Sequence, residues 1–362
     1  MPFSIADFIC STGLPHLLQS PIVLPCGHNH CRTCYDRSFN EYSKSKSLKS
    51  FCCNKVLIGQ NHAVNAPLER ILNSLPAKIL EIHNTSLKIT SQSGSTIASY
   101  QFLARYRGQD VLWQQFRLED CFPHSLIADV QDTVDAMFVV YNAVFANCDH
   151  LLKVVGVTHN PPGIVYSTLH CTLQEWMDRR FVSEVNPRLS EIYNIIKQLV
   201  DIFQFIHNYT NNLGLVTPET IWLTLKDEKV VDVRLQLPEF FIWKIAQYGS
   251  ADLYNNWGFV IYSPPEIFNN PLAQFSKASD IFVLGCIAFS LLSKTNPYTE
   301  YYDEPSEVVE AREVDGGASL FSSFADSIPY EYHSLIMSMM AINPFDRPHI
   351  TLVVNELNKI DH

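Results

Sequence analysis

Four potential metal ligands lie within nine residues of this chain. The run CGHNHCRTC places Cys26, His28, Cys31 and Cys34 close together. Thiolate and imidazole groups at this spacing suit a tetrahedral zinc ion, which can hold together a small module that lacks a large hydrophobic core. The sequence therefore predicts a zinc-binding module near its beginning.

Three further cysteines flank this run, Cys10 upstream and Cys52 and Cys53 downstream. With them, the stretch LLQSPIVLPCGHNHCRTC resembles the RING finger family of ubiquitin ligases. The resemblance implies two interleaved zinc sites. The first would use Cys10, Cys31 and Cys34. The second would use Cys26, His28 and Cys53, and Cys52 is available to complete it.

Several positions depart from the RING pattern. Gly13 and Ser50 stand where ligands are expected, and Thr12 replaces an aliphatic residue that contacts the ubiquitin-conjugating enzyme. Residues 65–72 resemble the short helix that follows many RING fingers. The resemblance predicts a degenerate RING-like module over residues 1–75. It leaves open whether the module recruits a ubiquitin-conjugating enzyme or is a zinc-stabilised interaction module without that activity.

Composition limits the partners of the chain. Its 362 residues carry a formal net charge of -11, which argues against a surface that follows nucleic-acid phosphates. Hydrophobic residues make up 47% of the chain, enough for a substantial core in two or three domains. The prediction is a globular protein that binds neither nucleic acid nor membrane.

Cysteine usage indicates a reducing compartment. Six of the ten cysteines lie in the first 53 residues, and the rest are scattered singly, which does not suggest a disulfide framework. The N-terminus lacks the basic flank and long apolar run of a secretion signal, and the apolar stretch 281–292 is too short to span a bilayer. These features predict a cytoplasmic protein.

Beyond a predicted linker over residues 76–86, the hydrophobic pattern changes. Residues 87–90, 99–106 and 111–116 read as strands, with 107–110 as a hairpin turn. Apolar residues then recur at three- and four-residue steps from Ile192 to Ile206, and the stretch from Ala278 to Leu292 is apolar almost all round. These patterns predict an amphipathic helix and a buried central helix.

This order resembles the eukaryotic protein kinase fold over residues 87–360. Three segments carry the resemblance: YSPPEIF with Glu266, SDIFVLGCIAFSLL with Asp280, and INPFDRPHIT with Arg347. The resemblance implies an α+β, bilobal fold with an N-lobe over about 87–167 and a C-lobe over about 168–360. It also implies a buried, bidentate bridge between Glu266 and Arg347, a geometry that suits guanidinium.

The catalytic positions of the kinase pattern hold other residues. Gln114 replaces the phosphate-binding lysine, and Val139 stands where that lysine's glutamate partner is expected. Leu213, Gly214 and Leu215 replace His-Arg-Asp, so that the general base is lost. Thr220 replaces the metal-binding Asn. For the Asp-Phe-Gly segment the favoured register is Arg234-Leu235-Gln236, and a shifted register would place Asp232 at the metal position.

Together these features predict a RING-like module joined to a pseudokinase. The favoured function is a RING-type ubiquitin ligase or ubiquitin-pathway adaptor whose pseudokinase domain binds a protein partner. One alternative is a non-enzymatic, zinc-stabilised signalling scaffold. Another is a divergent protein kinase that binds ATP. Zinc is the expected cofactor, and ATP with magnesium is not expected, because kinase chemistry depends on the lysine, metal ligands and base that are replaced.

Overall fold

The computed structural model describes residues 9–10, 16–17, 21–23, 29–36, 80–95, 99–116, 148–182, 187–208, 213–236, 257–270, 275–295, 297, 304, 306–310 and 328–360. The chain divides into two compact units. The first comprises Met1–Ser93, Tyr100–Cys148 and Lys153–Ser167, and the second comprises Gly94–Ser99, Asp149–Leu152 and Thr168–His362. Both helices and sheets are present, which confirms the predicted α+β class.

The first unit begins with two short antiparallel hairpins. Strand β1 (Ile9–Cys10) pairs with β2 (His16–Leu17), and β3 (Pro21–Val23) pairs with β4 (Asn29–Cys31). A helical turn over residues 32–36 follows β4 directly. The second hairpin encloses the middle of the predicted zinc run, but residues 24–28 lie outside the described part of the chain.

A five-stranded sheet follows in the described part of the chain. Its strands are β5 (Lys88–Ser95), β6 (Ser99–Tyr106), β7 (Gln109–Phe116), β8 (Val154–His159) and β9 (Pro162–Ser167). Their order across the sheet is β5-β6-β7-β9-β8. Arg107 and Gly108 join β6 to β7 with φ of 50° and 82°, the left-handed conformation that a tight two-residue hairpin requires. The predicted strands and hairpin turn are confirmed, although β5 extends beyond its prediction.

One face of this sheet carries a compact hydrophobic cluster built around Trp113. The indole N–H of Trp113 donates a 3.0 Å hydrogen bond to the Thr158 hydroxyl, which itself donates to the carbonyl of Pro161. Residues 80–82 cover the free edge of β8 through bonds from Ile82 N to Val157 O and from Val157 N to Leu80 O. The segment predicted as a linker thus contains residues that extend the sheet.

The second unit contains a small sheet and the main helices. Its three-stranded sheet has the order β10 (Cys171–Thr172), β11 (Ile221–Lys226) and β12 (Lys229–Leu235). Its labelled helices are α1 (Leu173–Val182), α2 (Leu189–His207), α3 (Trp257–Tyr262), α4 (Pro265–Phe268), α5 (Lys277–Ser293), α6 (Tyr330–Met339) and α7 (Ile350–Ile360).

Helix α2 has the predicted amphipathic character, and its polar side chains also have a structural role. Glu191 accepts from the backbone N–H of Val230, and Asn194 donates to the carbonyl of the same residue, at 3.3 and 3.2 Å. One turn further on, Gln198 accepts from Val233 N at 3.0 Å. These side chains satisfy backbone groups on the outer edge of β12, which would otherwise need water or another strand.

Helix α5 is buried on every side from Ser279 to Leu292, which confirms the predicted central helix. Ser276 and Ser279 form a reciprocal capping box at its beginning and so fix where the helix starts. Gly285 allows close contact with α6, because a Cβ there would lie 2.8 Å from Cγ of Met340. Among the described residues, no helix is both long and apolar enough to cross a membrane.

Gly163 of β9 lies so close to β7 that even a methyl group would overlap it. An ideal Cβ would lie 2.4 Å from the carbonyl oxygen of Gln114 and 2.8 Å from Nε1 of Trp113. We expect Gly163→Ala to lower the free energy of unfolding by about 3 kcal/mol, because the paired strand must shift. Urea unfolding of the purified variant measures this loss.

Gly108→Ala is the matched control for this substitution. Its φ of +82° is strained for alanine, but no described atom lies within 4 Å of the added Cβ. The expected loss is therefore only about 1 kcal/mol. Equal losses in the two variants would show that close packing at Gly163 does not limit stability.

Candidate functional site

The predicted zinc ligands are only partly described. Cys31 ends β4 and is buried, and Cys34 is half-buried on the helical turn that follows. The backbone of Cys10 pairs with His16 in the first hairpin. Cys26, His28, Cys52 and Cys53 lie outside the described residues. Within the described part of the chain, no group of three His, Cys, Asp or Glu side chains is placed to hold a metal. Zinc binding therefore stays a prediction.

Gln114, at the position of the kinase lysine, is a buried residue of β7 with 1% exposure. Its side-chain oxygen accepts a 3.1 Å hydrogen bond from the hydroxyl of Tyr166 on β9. Tyr166 is opposite Leu112 in the strand register, and Gln114 is opposite Ile164. Directly opposed residues share a sheet face, so the tyrosine ring and the amide lie on the same buried side. This side chain offers an uncharged amide where a kinase places an ammonium.

The segment that replaces the catalytic loop is closed by its own hydrogen bonds. The Thr220 hydroxyl accepts from Thr217 N at 3.2 Å and donates to the Thr217 carbonyl at 2.9 Å. The Thr220 carbonyl accepts from Gln236 N at 2.8 Å. Leu215, at the position of the base, is half-buried and carries no ionisable group. Thr217 and Thr220 therefore satisfy each other's polar groups, whereas Oε2 of Glu219 is buried without a hydrogen-bond partner, and neither Leu215 nor Thr220 offers a base or carboxylate.

The strand register shows where the two predicted positions for the metal carboxylate lie relative to Thr220. Leu235 pairs with Ile221, directly after Thr220, whereas Asp232 pairs with Thr224 further along the strand. Together with the Gln236 to Thr220 bond, this places Arg234-Leu235-Gln236 beside the catalytic-loop segment. Asp232 instead accepts a 2.8 Å bond from Nε of Arg234 on the same partly exposed face. The position nearest Thr220 is thus the neutral Gln236, whereas Arg234 lies opposite Trp222 and holds the Asp232 carboxylate.

Leu213 and Leu235 replace a polar and an aromatic residue of the kinase pattern, and both are fully buried. Both backbone polar groups of Leu235 also form hydrogen bonds. Its N–H donates to His150 O, and its carbonyl accepts from Leu152 N, each at 2.9 Å. The segment that contains Arg234 is therefore held to residues 150–152 by main-chain bonds that do not depend on a ligand.

Asp280 lies at the beginning of α5 and is completely buried. Its Oδ2 accepts from Nε2 of His207 at 2.8 Å and from Leu213 N at 2.7 Å. Burial raises the pKa of Asp280 to about 6, although hydrogen bonds from His207, Leu213 and Gly214 oppose that rise. The side chain fixes the end of α2 and the backbone of the loop that follows it. Gly214 has φ of 84° at this point.

Glu266 and Arg347 form the two-bond bridge that the resemblance implies. Nη1 and Nη2 of Arg347 donate to Oε1 and Oε2 of Glu266 at 2.7 and 2.8 Å. The remaining guanidinium donors reach the carbonyls of Ala278, Ala341 and Ile342. Burial alone would raise the pKa of Glu266, but the hydrogen bonds and charge of Arg347 hold it below its usual value. The bridge therefore joins α4, the start of α5 and the turn before α7.

Sequence reasoning missed two partners at these positions. Tyr166 bonds to Gln114 from 52 residues away, and His207 bonds to Asp280 from 73 residues away. His207 is the last residue of an amphipathic helix. Its position at the helix end was the one sequence feature that could have indicated a buried polar role. Val139, the position of the missing glutamate, lies outside the described residues.

Comparison with known proteins gives weak similarity to serine/threonine kinases. The chain is 26% identical to the serine/threonine-protein kinase chk-2 of Caenorhabditis elegans over 151 residues, 42% of this chain and 30% of that protein. It is 23% identical over 193 residues to the ovarian-specific serine/threonine-protein kinase Lok of Drosophila melanogaster, 52% of this chain and 38% of that protein. A probable serine/threonine-protein kinase of Dictyostelium discoideum is 24% identical over 100 residues, 27% of each chain.

These matches cover about a third of the length of each relative. No protein-family model matches the chain. The similarity supports a kinase-like domain and gives no support for a RING finger.

The Glu266–Arg347 bridge yields a stability prediction. We expect Glu266→Ala to lower the free energy of unfolding by about 3 to 5 kcal/mol, because a buried guanidinium loses its counter-charge. Glu356→Ala is the control, since it removes an exposed carboxylate paired with Lys359 and should change stability by no more than about 0.5 kcal/mol. Denaturant unfolding of both variants measures the two losses. A Glu266 variant as stable as the control would refute a structural role for the bridge.

Proposed function

We propose that residues 87–360 form a bilobal kinase-like domain that binds a protein partner and does not transfer phosphate. The observation that carries this proposal is the buried hydrogen bond between Gln114 and Tyr166. A kinase needs a mobile, charged amine at this position to hold the nucleotide phosphates. A buried amide bonded to a buried phenol supplies no charge. It also commits the side chain to the interior of its own sheet.

The loop and strand positions support the same conclusion. Loss of a positioned general base costs on the order of 10² to 10⁴ in rate, and Leu215 cannot replace it. Thr220 has a short hydroxyl whose bonds are directed to Thr217, and it lacks the reach of the expected Asn. Arg234 would repel a magnesium ion from the neighbouring position. Each substitution weakens phosphate transfer separately, and together they remove the base, the cation and the metal ligands.

A divergent kinase that retains ATP binding is the second candidate. Its support comes from the comparisons, because the three similar proteins are all named as serine/threonine-protein kinases. In the shifted register, Asp232 would supply the metal-binding carboxylate of such an enzyme. For it to act, its bond to Arg234 must break and the β12 register must shift. The two candidates differ in nucleotide binding, which can be measured on the full chain.

We expect no magnesium-dependent stabilisation by ATP in a thermal-shift titration, and no phosphate transfer from radiolabelled ATP to a generic protein substrate. Gln114→Lys should restore neither, since the base and metal ligands are still missing. The variant should also lose stability, because it buries an ammonium beside the hydroxyl of Tyr166. Gln115→Lys, one residue along β7, is the matched control for adding a charge to this strand. Wild-type phosphate transfer that disappears in Asp232→Asn would establish the divergent kinase instead.

For residues 1–75 we propose a degenerate RING-like zinc module that recruits a ubiquitin-conjugating enzyme. The support is the ligand spacing from Cys26 to Cys34 and the short hairpin that ends at Cys31. The alternative is a zinc-stabilised scaffold without recruitment, which the replacements at Thr12, Gly13 and Ser50 favour. A panel of conjugating enzymes charged with ubiquitin separates these functions. Faster ubiquitin discharge with the full chain supports recruitment, and unchanged discharge with every enzyme supports the scaffold.

The ligand count predicts an incomplete zinc complement. Seven candidate ligands cannot close two four-coordinate sites, so metal analysis of the purified chain should give more than zero and fewer than two zinc equivalents. Cys26→Ser should remove bound zinc and unfold the N-terminal module, because structural zinc binding supplies folding free energy. Cys148→Ser, outside the predicted ligand set, should leave the zinc content unchanged. A folded N-terminal module without zinc would refute this proposal.

A further inference from the structure

The buried pair formed by Asp280 and His207 has an uneven set of hydrogen bonds. Oδ2 of Asp280 receives both the His207 Nε2 bond and the Leu213 backbone bond. Within the described part of the chain, Oδ1 of Asp280 and Nδ1 of His207 have no hydrogen-bond partner. Both side chains are almost inaccessible to solvent, at 0% and 3% exposure. Oδ2 thus accepts both of these bonds, and Oδ1 is buried without a hydrogen bond of its own, although the Gly214 backbone also favours the charged carboxylate.

A buried carboxylate oxygen without a donor makes the charged form costly, because neither water nor protein stabilises that part of the charge. A proton on Oδ1 would remove the charge without displacing the bonds from His207 and Leu213, since both point to Oδ2. We propose that Asp280 and His207 form a proton-binding pair, in which Oδ1 of Asp280 takes up a proton from solvent in mild acid and thereby stabilises the anchor of the Leu213–Gly214 backbone.

Among the described residues, the charged groups on the neighbouring elements have other partners or lie on exposed or half-buried positions. On α5, Lys277 directs Nζ to the carbonyl of His207 at 2.6 Å. Ser279 bonds to Glu266, whose charge is balanced by Arg347. Helices α6 and α7 carry Glu331, Glu356 and Lys359 on exposed or half-exposed positions, and His333 is half-buried. The Leu213–Gly214 loop contributes backbone N–H groups rather than charge.

The direction of the pH effect follows from proton linkage. Burial raises the pKa of Asp280 to about 6, compared with 3.8 for the free side chain. The folded state therefore binds the proton at higher pH than the unfolded state. Proton uptake by Asp280 contributes its full stabilisation below the pKa of this side chain in the unfolded state, 3.8. That stabilisation is lost as the pH rises through the folded-state pKa of about 6. Lowering the pH from 7.5 to 5 should raise the folded-to-open ratio about tenfold. Glu266 stays ionised over this range, because its pKa is lowered.

Hydrogen exchange of the Leu213 amide tests this inference on the full chain, because that N–H bonds directly to Asp280. We expect its protection factor, corrected for intrinsic exchange, to rise about tenfold between pH 7.5 and 5. Asp280→Asn should abolish this rise, since it fixes the neutral state. Asp201→Asn, an exposed change on the same helix as His207, should keep the full rise.

His207→Gln shows which group takes up the proton and keeps the test decisive if Asp280→Asn does not fold. The glutamine amide can still donate to Asp280 but does not titrate, so the rise in Leu213 protection should persist. Loss of the rise in His207→Gln, with retention in Asp280→Asn, would assign the proton to histidine and overturn the inference. A wild-type protection factor that stays constant or falls from pH 7.5 to 5 would also overturn it. Neither outcome depends on whether the domain transfers phosphate.

Discussion

The guanidinium of Arg347 organises the C-terminal part of the described structure. A buried charge of this kind is tolerated only when it is paired and its donors are satisfied. Glu266 takes two of the five N–H groups, and three backbone carbonyls take the others. The aromatic ring of Phe282 lies 5.0 Å from the guanidinium carbon. Because these partners come from α4, α5 and the turn before α7, their relative positions are fixed by one side chain.

The positions that the resemblance aligns with kinase catalytic residues differ from this bridge. Packing and neutral hydrogen bonds, rather than charge, stabilise the side chains there. Gln114 bonds to Tyr166, and Thr220 closes its own turn with Thr217. Leu213 and Leu235 fill buried space. A charged lysine or aspartate at such positions would need a ligand or counter-ion to offset its burial. The uncharged side chains of Gln114, Thr220, Leu213 and Leu235 carry no such requirement.

Much of this fold could be predicted from local sequence. Gly108 marks a turn that needs positive φ, and the apolar spacing from Ile192 to Ile206 specifies a helix with one buried face. The Glu266–Arg347 bridge required a family resemblance, because no local pattern links residues 81 positions apart. The partners of Gln114 and Asp280 could not be predicted. In the sequence, Tyr166 is an aromatic residue of a strand and His207 is a histidine at a helix end, and neither pattern indicates a specific partner. Their roles arise from tertiary contact alone.

Under the proposed function, these two classes of residue explain how a kinase-like architecture persists without phosphate transfer. Removing one partner of a buried, fully bonded charge costs about 3 to 5 kcal/mol, a large share of the 5 to 15 kcal/mol that typically stabilises a domain. Replacing a catalytic charge with a well-packed neutral group carries no such penalty and can stabilise the fold. Substitutions such as Gln114 and Leu215 therefore remove chemistry at little structural cost, whereas Glu266, Asp280 and Arg347 are constrained by stability itself. A chain that functions through partner binding needs only the second class.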